Sequence, residues 1–172
     1  MHKKPYLFIN VVEIFGLFLF VYIKVFIKYH KEERLLKKST IFTFMPQITN
    51  KDLIEKARSI TKSKKIKHAY IVGDVGCALL TDKGNIYLGV CMDVSSGIGF
   101  CAEHAAIASM VTHGEHKIKK IVAVSENGKI LPPCGRCREF INQIHEQNRM
   151  TEVIIGKNKV VKLKELLPHS WS

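Results

Sequence analysis

Cys101-Ala102-Glu103-His104, read together with Pro132-Pro133-Cys134-Gly135-Arg136-Cys137-Arg138, decides how this chain is organised. Three cysteines and one carboxylate stand there at spacings that suit a catalytic zinc site. Thiolates hold Zn²⁺ at about 2.3 Å, and a catalytic zinc takes three protein ligands and leaves its fourth position to water. Cys101, Cys134 and Cys137 are the expected ligands. Cys134 and Cys137 are three apart and share one face of a helical turn. Pro133 reads as the start of that helix, and Cys101 precedes the helix-favouring run Ala102-Glu103-His104-Ala105-Ala106-Ile107-Ala108. The thiols are thereby expected at helix N-termini, where the dipole and the free N–H groups favour a negative sulfur, with Arg136 or Arg138 as further compensation. Glu103 sits two residues past a ligand, within reach of the water and outside the ligand set. A general base needs that position.

These residues resemble the signature of the cytidine deaminase superfamily: a Cys or His, then x-Glu, and later Pro-Cys-x-x-Cys. The Cys-Ala-Glu form is similar to the free-nucleoside branch, because polynucleotide editors usually place His at the first ligand. The resemblance runs from about Ile71, through Val75-Gly76-Cys77-Ala78-Leu79-Leu80 and the hairpin Asp82-Lys83-Gly84-Asn85-Ile86-Tyr87, to Glu165-Leu166-Leu167-Pro168. Ile130-Leu131-Pro132-Pro133-Cys134-Gly135-Arg136-Cys137-Arg138 also resembles blasticidin-S deaminase. The resemblance implies a three-layer α/β/α sandwich with a mixed five-stranded sheet, a Zn²⁺ cofactor, and a homodimer or homotetramer. It implies hydrolysis of a free cytosine nucleoside, cytidine or deoxycytidine, to the uracil nucleoside and ammonia. Glu103 would take the proton of water, deliver it to N3 as C4 is attacked, and later protonate the departing ammonia.

The resemblance also implies where the substrate is held. Backbone groups of the Ala102 and Pro132 segments would meet the pyrimidine edge. Nucleoside deaminases usually present Asn-x-Glu after the second strand to hold the ribose, and the matching positions here are Cys91 and Asp93. Asp93 can accept from a sugar hydroxyl, whereas Cys91 is a poor substitute for an amide. An aromatic residue often found before Val-Gly corresponds to Gly73. These departures keep a modified cytosine nucleoside, or a nucleoside antibiotic such as blasticidin S, open as the substrate.

Other readings of the same residues compete. A thioredoxin-like Cys-x-x-Cys would leave Cys101 and Glu103 without a role. A closed structural zinc needs a fourth ligand, for which His104 is the nearby candidate. In the family an Arg often stands there and hydrogen-bonds a ligand thiolate. Cys77, in an apolar strand, reads as a buried hydrophobe. His68, His113, His116, His145 and His169 read as solvated, Asp74 and Glu115 as loop carboxylates, and Trp171 as surface packing or a cover for a neighbouring subunit's pocket.

The five cysteines, three of them claimed by one metal, do not form a disulfide framework, so a reducing cytoplasm is expected. The net charge of +12 raises the question of nucleic acid. Residues 1–44 hold 8 basic against 3 acidic residues, net +5, and the remainder holds 19 against 12, net +7. The densest run, Lys62-Ser63-Lys64-Lys65-Ile66-Lys67, has no interleaved aromatics and reads as a solvated helix end and loop. A nucleic-acid-binding or editing protein is the alternative of another class, disfavoured by Cys101 in place of His.

Two domains are expected, an apolar, basic-flanked extension over 1–44 and a zinc deaminase domain over 45–172. Residues 6–27 are mostly apolar and long enough to cross about 30 Å of hydrocarbon. Glu13 and Lys24 weaken a span, and the positive residues that follow it would leave the catalytic domain in the cytoplasm. No small-residue cleavage site follows, which argues against a secretory signal. Met45 as the natural start is the competing expectation. Beyond it the pattern predicts a helix capped by Asn50, strands at about 69–81 and 86–92, and a helix at 101–112. It then predicts a strand at 119–125, a helix at 134–147, a strand at 152–156 and a short helix at 162–167.

Overall fold

The computed structural model describes Lys24, residues 47–66 and residues 70–171. The extension expected over 1–44 and its apolar stretch 6–27 lie outside the described residues, apart from Lys24. Among the described residues no helix is long and apolar enough to cross a membrane. Along the chain run α1 (Asn50–Ser59), β1 (Lys64–Lys65), β2 (Ile71–Thr81), β3 (Ile86–Asp93), α2 (Ala102–Thr112), β4 (Ile118–Ser125), β5 (Ile130–Leu131) and α3 (Gly135–Ile144). A 3₁₀ helix (Glu146–Met150), β6 (Glu152–Gly156), β7 (Lys159–Lys162) and α4 (Leu163–Leu166) complete it.

The sheet is mixed, in the order β3-β2-β4-β6-β7, with β4 and β6 parallel and the other neighbours antiparallel. The dipeptides β1 and β5 add short antiparallel pairs to β2 and β4. Successive side chains of a strand face opposite ways, and β2 shows the result. Cys77 and Leu79 pack with Ala106, Ile107 and Met110 of α2 and Ile141 of α3, while Ala78 and Leu80 pack with Leu53 and Ala57 of α1. β4 and β6 follow the same period: Ile121 and Val153 face α2 and α3, and Val122, Val124 and Ile154 face α1. Helices on both faces of a mixed sheet make the expected three-layer sandwich.

Three local details differ from the sequence-based expectation. The N-cap of α1 is Thr49, not Asn50. Thr49 Oγ1 accepts from Asp52 N at 3.2 Å and the Asp52 carboxylate accepts from Thr49 N at 2.8 Å, a reciprocal capping box that Asn50 cannot make from one residue on. Asn50 Oδ1 instead accepts from Lys120 Nζ at 2.6 Å. α3 stops at Ile144, because His145 is extended (φ −161°, ψ 136°) and its Nδ1 accepts from Gln147 N at 3.1 Å to open the 3₁₀ turn. β7 forms where no strand was expected, pairing antiparallel with β6 through a register shift between Ile154 and Gly156.

Two backbone features place the site. Gly89 in β3 lies flush against α2, where a Cβ would collide with the backbone of Ala106 and Ala102. The β2–β3 ladder shifts between Val72↔Met92 and Gly76↔Val90, so Gly73, Asp74 and Val75 oppose the single residue Cys91. Gly73 takes φ +77° inside this bulge, a conformation that costs glycine little.

Candidate active site

Two helix starts build the site. Cys101 is the N-cap of α2 (φ −70°, ψ 158°) and Cys134 the N-cap of α3 (φ −67°, ψ 170°), so both thiols stand where the first N–H groups of a helix point. Cys137 follows in the first turn of α3 and is fully buried. The sulfurs of Cys101 and Cys134 are 3.7 Å apart and those of Cys134 and Cys137 3.5 Å, and all three lie within 4.8 Å of one another. Four ligands placed tetrahedrally at about 2.3 Å from a zinc are about 3.8 Å apart, so the cluster is of the right size to hold one ion. Among the described residues this is the one cluster of metal-ligating side chains, and it contains three ligands rather than four.

The electrostatics divide the three thiols. Burial pushes the Cys101 and Cys137 thiols above their ordinary range. Burial pushes Cys134 up as well, but the Cys137 backbone N–H and bonds with the Cys137 and Cys101 thiols outweigh it and leave Cys134 below its ordinary value. Arg138 is not available to compensate thiolate charge directly. Its Nε donates to Pro133 O at 2.8 Å and its Nη1 to Leu166 O at 2.9 Å, which ties α3 to the end of α4. Arg136 donates from Nη1 to Gly99 O at 3.4 Å and stands at the mouth of the site.

His104 is outside the ligand cluster. Its ring stacks on Phe140 with centroids 4.6 Å apart and planes 5° apart, and its Nδ1 lies 3.5 Å from Cys137 Sγ. Burial, with Arg136 beside it, holds the imidazole below its usual pKa and therefore neutral. The group of ligand atoms lying within 4.8 Å of one another contains the three sulfurs and not a nitrogen of His104.

Glu103, on the first turn of α2, is only 5% exposed. Burial raises its carboxyl above the usual range, against its own backbone N–H and the Cys137 thiol, which lower it. A cavity of about 380 Å³ opens beside Cys101, with Asp74, Cys91, Asp93, Phe100 and Arg136 in its wall. The structure therefore places Cys91 and Asp93, both expected to hold substrate, in one cavity wall with Cys101. Ala102 is fully buried at the start of α2 and is not part of the cavity wall.

Of the two carboxylates expected in loops, Asp74 stands in a strand, while Glu115 is in the loop between α2 and β4 as expected but is buried there. Asp74 lies in the bulge of β2 and lines the cavity, and Cys91 Sγ donates to its Oδ1 at 2.7 Å. Glu115 is 5% exposed and accepts from Asn85 Nδ2 at 2.5 Å and Tyr87 Oη at 2.9 Å. The partner of each is more than a dozen positions away, which explains why nothing local in the sequence marks either. Of the histidines, His113 and His116 are exposed as expected, His145 caps the 3₁₀ helix, and Trp171 is 86% exposed.

Comparison with known proteins points one way. The family profile of the cytidine and deoxycytidylate deaminase zinc-binding region matches residues 48–156. A cytidine deaminase of Mycobacterium tuberculosis is 35% identical over 68 residues, 39% of this chain and 51% of that protein, so the chain spans about half the length of this relative. A blasticidin-S deaminase of Bacillus cereus is 31% identical over 107 residues, 57% of this chain and 76% of that protein. A crystal structure of a mutant cytidine deaminase from Mycobacterium tuberculosis superposes with a TM-score of 0.63 over 73% of this chain and all of that one, at 23% identity, and supports the fold.

Proposed function

Because the chain belongs to the cytidine and deoxycytidylate deaminase family, we propose that it is a zinc-dependent hydrolase converting a free cytosine nucleoside, cytidine or deoxycytidine, to the uracil nucleoside and ammonia. The observation that carries this reading is the pairing of three convergent thiols, with no fourth protein ligand among the described residues, and a buried carboxyl two residues past the first of them. Cys101, Cys134 and Cys137 would hold the ion. A zinc bound there supplies water at neutral pH with a pKa near 7.

Glu103 carries the proton traffic. Its raised proton affinity, caused by burial, suits a group that must accept a proton from water and release it again. The carboxylate takes a proton from water as oxygen bonds to C4 and gives it to N3. It then takes the second proton from the new C4 hydroxyl and passes it to the exocyclic nitrogen as the C4–N bond breaks and the C4 carbonyl forms. Water is consumed, ammonia leaves, and the carboxylate is regenerated.

A modified substrate is the second reading, favoured by the 31% identity to a blasticidin-S deaminase and by Cys91 at a sugar-binding position. Five free cysteines suit a reducing compartment, so the cytoplasm is the proposed location, with a homodimer or homotetramer as the proposed assembly. An ammonia-release screen over cytidine, deoxycytidine, 5-substituted cytosines and blasticidin S, with zinc quantified in the same sample, tests the function. Release from one or more of them at one zinc per chain is expected. No release from any by the zinc-loaded protein would refute it.

A further inference from the structure

We propose that Asp74, acting beside Asp93 and in place of Cys91, is a residue through which the cavity recognises the sugar hydroxyls of its nucleoside; this assignment rests on the deaminase reading above. Cys91 has one proton to give, and it goes to Asp74 Oδ1 at 2.7 Å. Its sulfur accepts from Val75 N at 3.3 Å, and the residue is 9% exposed. With its donor and its acceptor both engaged by protein, Cys91 offers the cavity a smooth apolar contact and no hydrogen bond.

The rest of the wall narrows the choice. Cys101 belongs to the metal cluster, and Phe100 is apolar. Arg136 carries only donors, one of them directed at Gly99 O. The strong side-chain acceptors of the cavity are therefore the carboxylates of Asp74 and Asp93. A carboxylate has two oxygens and about four lone-pair sites, of which the Cys91 thiol occupies one. Asp74 keeps the capacity to accept from a hydroxyl while still anchored.

Backbone geometry gives Asp74 this position. Three residues of β2 oppose one of β3, and Gly73 at φ +77° redirects the chain just before Asp74. Bulges of this kind re-aim a side chain beside a functional site. Since C4 of the base must lie at the Cys101 end, the sugar of the same nucleoside lies against the remaining wall, where Asp74 stands. The recognised chemistry is a hydroxyl-bearing sugar donating to a carboxylate.

Steady-state kinetics of the zinc-loaded protein with cytidine and with 2′,3′-dideoxycytidine test the assignment, alongside calorimetric binding of uridine and 2′,3′-dideoxyuridine. Asp74→Ala is expected to raise KM for cytidine about 10- to 100-fold and KM for the dideoxy analogue no more than about threefold. The preference for the hydroxylated sugar then disappears in both measurements. Asp74→Asn keeps an oxygen for the Cys91 thiol, protects the fold, and is expected to lose the same preference to a smaller extent. An equal loss on both nucleosides, or an undiminished preference in both variants, overturns the proposal. A wild-type protein that releases no ammonia yet binds uridine better than its dideoxy analogue defeats the deaminase reading alone, because the binding arm still reports on Asp74.

Discussion

Two buried glutamates bracket α2 and behave in opposite ways. Glu103, on its first turn, and Glu115, just past its C-terminal end, are each 5% exposed. Burial raises the proton affinity of Glu103, with only its own N–H and the Cys137 thiol opposing. Glu115 is held below the usual carboxyl range by the Thr81 hydroxyl first, and then, against burial, by the Asn85 amide and the Tyr87 hydroxyl. Similar solvent exposure thus goes with opposite shifts: burial dominates at Glu103, and the donors aimed at the carboxylate dominate at Glu115. Glu115 is committed as a tie between the β2–β3 hairpin and the end of the helix. Glu103 is left with a raised proton affinity, which fits the proton-transfer role proposed for it.

The largest expected effect comes from removing what lies beside Glu103 and nothing beside Glu115. Chelation of zinc, or Cys134→Ser, is expected to abolish ammonia release and lower the thermal midpoint, with zinc restoring both only in the wild type. A midpoint indifferent to zinc would separate the cluster from folding. Next is Glu103→Gln, which keeps the shape and removes the titrating oxygen. Ammonia release should fall about 10²- to 10⁴-fold while the zinc content per chain stays that of the wild type. A rate close to wild type would remove Glu103 from the chemistry and erase the contrast.

Glu115→Gln is expected to leave kcat/KM within about threefold, since it lies at the far end of α2 from the cluster. Its effect is on stability. The folded-state pKa of Glu115 lies below its ordinary value of 4.5, so its stabilisation is present at neutral pH and is lost as pH falls through the depressed value. Thermal melts of wild type and variant should differ at pH 7 and converge in acid; a gap that persists at low pH would contradict the sign. The smallest effect belongs to Tyr87→Phe, which removes one of the donors to Glu115. Its midpoint should drop in the same direction as Glu115→Gln and by less, with ammonia release unchanged.

The same contrast explains what could be read in the chain beforehand. Cys101 with Glu103 and Cys134 with Cys137 lie within three residues of each other, so their joint geometry follows from one helical turn. The longer strands β2, β3, β4 and β6 were legible as short apolar runs between turn signals, whereas β7 was not. Glu115 was not, because its donors Asn85 and Tyr87 come from a hairpin about thirty positions away and nothing in Gly114-Glu115-His116 signals burial. Asp74 escaped for a related reason: its bond to Cys91 exists only because the ladder slips at Gly73. The cap of α1 failed differently. Thr49 and Asn50 are both good N-caps, and only the reciprocal bond to Asp52 selects between them.

Gly89 carries a last consequence. Where β3 meets α2 there is no room for a single methyl group, so the thickness of that junction is set by the smallest side chain available. One ligand rides on α2 and the other two on α3, and the gap between these helices is the dimension of the metal cage. Widening that junction at Gly89 would shift α2, with Cys101 at its start, relative to the two thiols of α3, without altering any sulfur.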